Sequence, residues 1–395
     1  MQERKTALQQ LDFTLLFLLF VLMCISLLAV YSGSAPLTEK WEVDPLFFVQ
    51  RQIIWIVIGV LLMIGAMSVD YEIFKNISLP FYLFGIVMLL LVRYTFLGIE
   101  AKGAKRWLGI ENVFQFQPSE FVKIFVIISL AHLLYKITKQ SREKSFKNDC
   151  IITVKILAVA VPPFLLILMQ PDLGTALVIA AITFCMIIMS GMTYRMIGLL
   201  TTLAMSFLAF LVWLHNNYFE LFSIVIKPHQ LNRIYAWLDQ GANIGDEGYQ
   251  LDQALQGIGA GRLYGSGFME GIKTHSGDIP ELHTDFIFTV IGEEFGFVGA
   301  TVLIIVYFLM LYRMVIIAFQ CNNTFGTYLV AGSITLLVFQ IFQNIGMTIG
   351  VMPITGLALP FISYGGSALI TNMIAVGIVL NVNIRTKHYM FGEED

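Results

Sequence analysis

The sequence predicts an all-α polytopic membrane protein of about ten transmembrane helices, with a large outer loop between the seventh and the eighth. Three observations predict it. Hydrophobic residues make up 57% of the 395-residue chain and charged residues 13%, about half the charged share of a soluble domain. Apolar runs of the length that crosses a bilayer, about 20 residues, recur along almost the whole chain. Lysine and arginine gather in segments that fall on one side when the runs are threaded alternately, which is the bias of cytoplasmic loops.

In order, the runs are 11–31, 51–69, 78–95, 118–136, 152–169, 173–190, 194–214, 286–312, 325–346 and 364–382. The first is too long for the apolar region of a cleavable signal and has no clear small-residue cleavage site, so it reads as a retained span. Arg4 and Lys5 precede it. Lys136, Lys139, Arg142, Lys144 and Lys147 follow the fourth run, and Arg385 and Lys387 follow the tenth. An even number of spans puts these three groups, and both termini, on the cytoplasmic side of a single transmembrane unit, 1–395. Four segments then lie outside: 96–117, the turn Gln170-Pro171-Asp172, the long stretch 215–285, and 347–363, rich in Pro and Gly. The stretch 215–285 holds Tyr235, Trp237 and Tyr249 and an apolar periodicity from Gln250 to Ile258, so it is expected to fold on the outer face rather than serve as a linker. Cys24, Cys150, Cys185 and Cys321 show neither metal-ligand nor disulfide spacing. No transporter-like repeat is visible, and nucleic acid is not an expected partner.

Three groups of polar residues stand out. Asp285 ends Pro280-Glu281-Leu282-His283-Thr284-Asp285, where the long loop enters span eight. It is either a helix-terminal carboxylate, worth about 0.3–1 kcal/mol, or a group with chemistry to do. Glu293 and Glu294 follow about 12 Å deeper at the helical rise. A charge inside a span costs on the order of 2.5–3.5 kcal/mol, so span eight is expected to line a polar cavity with these carboxylates. The second group, Lys102, Lys105, Arg106 and Trp107, lies outside, against the charge bias. It reads either as headgroup contact with an interfacial tryptophan, or as an anion clamp with Arg106 giving bidentate phosphate contacts and the lysines adding point charge. The third is Glu120 and Lys123, three residues apart at the start of span four and expected to form an internal ion pair.

Other features read as structure. Asp172 is placed to cap a helix behind Pro171. The glycines from Gly259 to Gly267 lack the Gly-Lys-Ser/Thr of a phosphate loop and any βαβ setting. Pro360 to Ser367 is mainly a small-residue packing surface, with Ser363 as a hydroxyl at an entrance beside the cavity.

Six segments occur together and in order: KGAKRWL (102–108), FQPSEFVKI (116–124), QPDLGTAL (170–177), GYQLDQA (248–254), PELHTDFIFTVIGEEFGFVG (280–299) and NIGMTIGVMPITGLALPFISYGGSA (344–368). Over nearly the whole chain this resembles the SEDS family (shape, elongation, division and sporulation). The GEEFGFVG form, and the longer segment ahead of PELHTDF, look more like its RodA members than its FtsW members. Ala358 stands where the family usually has Pro, Ala368 where it often has Ser, and Asp239-Gln240 replaces the common Asp-Pro.

The resemblance implies a peptidoglycan glycosyltransferase of the bacterial plasma membrane that polymerises lipid II for cell elongation and shape. It implies a class B penicillin-binding protein as crosslinking partner, beside other membrane proteins of the elongation complex. The family's essential acidic residue falls on Asp285 and its Arg-Trp pair on Arg106 and Trp107. Glu281, His283, Thr284 and Ser363 are taken with them as substrate contacts, along with Lys102 and Lys105. No cofactor is certain, although a Mg²⁺ or Mn²⁺ ion could be shared between Asp285 and substrate phosphates. The rival readings are a lipid II flippase and a non-catalytic scaffold for a penicillin-binding protein. An acidic residue and a basic loop on one outer face favour the enzyme, because a translocator should also show a cytoplasm-facing site.

Overall fold

Among the described residues nine helices are long and apolar enough to cross a membrane, and Leu173–Met189 is a further, shorter apolar helix. Together they account for the ten expected spans. The computed structural model describes residues 10–101, 104–110, 114–139, 145–225, 228–238 and 245–389. Lys102 and the basic segment 140–144 lie outside them.

The chain begins with α1 (Phe13–Trp41), α2 (Phe47–Ser68) and α3 (Ile73–Tyr94). Strands β1 (Gly98–Ala101), β2 (Ala104–Ile110) and β3 (Phe114–Phe116) follow. Next come α4 (Pro118–Lys139), α5 (Phe146–Leu168), α6 (Leu173–Met189) and α7 (Tyr194–Asn217). The long loop folds as α8 (Phe219–Val225), α9 (Pro228–Leu238), α10 (Gly245–Gly261) and α11 (Ile272–His275). The chain closes with α12 (Ile287–Glu294), α13 (Gly296–Gln320), α14 (Thr324–Thr348) and α15 (Gly366–Tyr389).

The helices at the centre carry the small and polar residues. Helix α14 packs against α4, α6, α13 and α15, and α2 lies along α15. Buried Gly332 meets Ile127 of α4 and Met186 of α6, the close approach that small residues allow between membrane helices. Helix α7 is peripheral: it touches α5 and α8, and only Met196 of its residues is buried.

The structure departs from the sequence reading in three places, all at the end of the bundle that carries the long loop. Helix α1 continues to Trp41, ten residues past the expected span, and its extension packs on α11 and α12. Segment 96–117 is not an irregular loop but a three-stranded antiparallel sheet in the order β1-β2-β3.

The third departure is the largest. The expected continuous span 286–312 is broken: α12 stops at Glu294, and the spanning helix α13 restarts at Gly296. A break inside a bundle exposes backbone groups that must find bonds. Here the glycine-rich stretch after α10 supplies them. Ser266 N–H donates to the Glu293 carbonyl (2.9 Å) and Gly267 N–H to the Glu294 carbonyl (3.1 Å), while Phe297 and Val298 donate to the carbonyls of Arg262 (2.9 Å) and Leu263 (3.1 Å). This plug works only at backbone distance. A Cβ on Gly265 would lie 2.1 Å from the Glu294 carbonyl oxygen, and Gly296 holds a left-handed φ of 66°. The glycines are there to let two backbones meet.

Candidate active site

The segment 281–286 is a run of turns ahead of α12. Thr284 and Phe286 N–H both return to the Glu281 carbonyl, at 3.2 and 3.1 Å, and Thr284 Oγ1 donates to the Glu281 carboxylate at 2.8 Å. The N-cap position of α12 is Phe286, with no side-chain cap, and Asp285 immediately precedes it. Its side chain is half-buried.

Three consecutive carbonyls of this turn are held from outside it. His283 O accepts from Tyr364 N–H at 3.0 Å, Thr284 O from Ser363 Oγ at 2.6 Å, and Asp285 O from Asn344 Nδ2 at 2.7 Å. Ser363 Oγ also accepts from Leu359 N–H at 2.8 Å. The holding segment is tied to the first two helices: Ser26 Oγ donates to Ile362 O at 2.8 Å, and Gln52 Nε2 donates to Ser26 Oγ at 3.0 Å and Ser363 O at 3.3 Å.

Two residues read as substrate contacts thus have structural work. Ser363 is buried and its hydroxyl braces the turn. His283 is buried and its ring packs in a triangle with Phe48 and Tyr364, with centroids 5.2 and 5.6 Å away. Glu281 and Thr284 are only half-buried and flank Asp285.

Glu293 and Glu294 do not line a cavity in a span. Both are buried at the helix break. Glu293 accepts from the N–H groups of Lys273 and Thr274 and from Thr274 Oγ1, each at 2.8 Å. Glu294 accepts from Ser32 of the α1 extension and lies 3.3 Å from His275 Nε2. They anchor the long loop, and Glu293 has the three donors that a buried charge requires.

The basic cluster also binds backbone. In the β1–β2 ladder Ile99 faces Trp107 and the next residue, Glu100, faces Lys105. Arg106 is therefore the extra residue of a β-bulge, a device that re-aims a side chain. Its guanidinium donates to the carbonyls of Gln170 (3.1 Å) and Pro171. Lys105 Nζ donates to Thr95 O at 2.6 Å. Lys105 and Arg93 nonetheless line a cleft of about 310 Å³ with Tyr94 and the 169–171 turn. Trp107 is half-buried.

Beneath the turn, Asp172 caps α6 through Thr175 N–H at 3.1 Å and accepts from Gln117 at 2.8 Å, as a capping residue should. The expected Glu120–Lys123 pair forms at 2.7 Å and is buried.

Sequence reasoning passed over Asn344, Gly356, Arg51 and Tyr364. The signal for Arg51 was a lone arginine at the start of an apolar run. Its guanidinium lies 4.3 Å from the Phe47 ring centroid. Burial raises the Tyr364 hydroxyl pKa, against the pull of a hydrogen bond and the charge from Arg51. Among the described residues no three His, Cys, Asp or Glu side chains converge on a metal position.

A family model described as cell cycle protein, covering FtsW, RodA and SpoVE, matches residues 13–388. This chain belongs to the FtsW/RodA/SpoVE family. Within that family, the probable peptidoglycan glycosyltransferase FtsW of Geobacter metallireducens is 36% identical over 379 residues, 96% of each chain. The peptidoglycan glycosyltransferase MrdB of Escherichia coli is 33% identical over 377 residues, 95% of this chain and 94% of that one. A chain from a peptidoglycan synthase complex that coordinates polymerization and crosslinking superposes with a TM-score of 0.75 at 28% identity, over 95% of this chain and 98% of that one. FtsW and MrdB family members match over the same extent at similar identity, so the motif-level likeness to RodA is not matched by a preference along the whole chain.

Proposed function

We propose that the chain is a peptidoglycan glycosyltransferase that polymerises lipid II, with Asp285 as general base. The observation that carries this reading is a half-exposed carboxylate on a turn whose own carbonyls are fixed by three separate donors. A base must be held in place to act, and its backbone is held here.

In the proposed step a sugar hydroxyl oxygen attacks the anomeric carbon of the donor. The bond from that carbon to the diphosphate oxygen breaks, undecaprenyl diphosphate leaves with the electron pair, and Asp285 takes the hydroxyl proton. One displacement inverts the anomeric centre. Lys105 and Arg93, lining their cleft beside the 169–171 turn, supply positive charge for a diphosphate. An apolar crevice of about 300 Å³ lined by Trp55, Phe84, Phe121 and Phe125 offers a place for part of a lipid tail. A Mg²⁺ or Mn²⁺ ion would be held by Asp285 together with substrate phosphates.

The test is lipid II polymerisation by purified protein. Asp285→Asn should lower turnover by about 10²-fold or more, the scale of general-base catalysis, with abundance and folding retained. An active Asp285→Asn enzyme rejects the base. Lipid II transport across vesicles without polymer would support the flippase reading instead.

Both the synthase-complex likeness and the family support a class B penicillin-binding protein as partner, to be checked by co-purification in detergent. The GEEFGFVG motif supports a role in elongation and shape, for which depletion should round cells rather than produce filaments.

A further inference from the structure

We propose that Asn344 is a positioning residue for Asp285, and that Asn344 and Gly356 together set where the Asp285 carboxylate points. The inference rests on Asp285 being the base.

Asn344 lies near the end of α14 and is fully buried. Its Nδ2 donates to two carbonyls, Asp285 O and Leu357 O, each at 2.7 Å. One amide therefore ties the turn of the base to the segment that passes in front of it. An apolar side chain of the same shape would release both carbonyls at once.

That segment passes close to the carboxylate. Gly356 has a left-handed φ of 72°, and a Cβ built there would stand 3.2 Å from Asp285 Oδ2. Gly356 is exposed, so the position nearest the carboxylate is left open by the lack of a side chain. The segment cannot retreat: a Cβ on Gly174 of α6 would already lie 2.8 Å from Thr355 O and 2.9 Å from Leu357 Cγ. The Asp285 carboxylate thus extends from a clamped backbone into a space that only a glycine at 356 leaves free. A displacement of about 1 Å in a reacting group can cost about 10²-fold in rate.

The experiment measures kcat and KM for lipid II in the full-length protein carrying Asn344→Leu, Asn344→Gln, Gly356→Ala or Asp285→Asn, with melting temperature alongside. Asn344→Leu should lower kcat by about 10- to 100-fold with KM unchanged. Asn344→Gln, which keeps the N–H donors, should recover part of that loss. Gly356→Ala removes no hydrogen bond, so it serves if the leucine variant does not fold. Its left-handed φ strains an alanine, so the melting temperature should fall modestly, and kcat, assayed well below it, should drop at unchanged KM. Parental kcat in both Asn344→Leu and Gly356→Ala, beside an inactive Asp285→Asn, overturns the positioning role and leaves the base intact. Losses that track melting temperature alone, with no recovery in Asn344→Gln, also overturn it. An active Asp285→Asn enzyme removes the base, and the positioning role with it.

Discussion

Replacing Arg106 by lysine separates two roles that the same motif suggests. The sequence pointed to a phosphate clamp, whereas in the structure the guanidinium spans two successive carbonyls, Gln170 O through Nε and Pro171 O through Nη2. A lysine ammonium can reach one of them. A hydrogen bond from a charged group is worth about 1.5–3 kcal/mol. Arg106 is half-buried, and water can take up part of a freed carbonyl, so we expect a loss of about 1–2 kcal/mol. The bulge makes the loss specific, because residue 106 is the one that β1 does not pair. The assay is thermal unfolding in detergent with lipid II kinetics on the same preparation. The carbonyl anchor predicts a lower melting temperature and an unchanged KM. An unchanged melting temperature with a raised KM would refute it and return Arg106 to the phosphate.

Other consequences follow from the buried charges and from the orientation of the chain. Glu293→Ala strands three donors on Lys273 and Thr274 and should cost on the order of 3 kcal/mol, read as faster proteolysis within 262–278; an unchanged cleavage rate would count against the anchor. Lys123→Met alone should destabilise by about 3–5 kcal/mol, because it leaves Glu120 charged and buried, while the double replacement with Glu120→Leu should recover most of the loss. A single cysteine at position 140 should resist labelling from outside intact cells, as the positive-inside bias requires, and labelling there would reverse the proposed topology.

The spans were legible because length and hydropathy are local properties. The break at Glu294 was not, because hydropathy runs through it from Phe286 to Tyr312. What ends α12 is the backbone of residues 262–267, and those donors and acceptors have no signature in the sequence of the helix they interrupt. The glycines of that stretch were visible, but nothing local says that their use is to touch Glu293 and Glu294. The sheet at 98–116 was hidden in a similar way: its strands are short, and the bulge at Arg106 disturbs the alternation that marks a strand.

At the candidate site, the sequence pointed to Asp285 but not to the residues that hold its turn. Asp285, Glu281 and Thr284 are neighbours in one motif, and short range is where pattern reading works. Asn344 is 59 positions from Asp285, and its amide meets Asp285 and Leu357 through main-chain oxygens that every residue type carries. A side chain that recognises a carbonyl imposes no residue identity on the other side, so no pairing of residue types betrays the contact. The same reasoning covers Arg106 on Gln170 and Pro171, and Ser363 on Thr284. Where the fold steers a site through backbone groups, the steering residue must keep its own chemistry while the residue it steers by is free to vary. Substitutions at Asn344 should therefore be far less tolerated than substitutions at Leu357 that preserve its bulk, a contrast that parallel kinetic measurements on Asn344→Leu and Leu357→Met would expose.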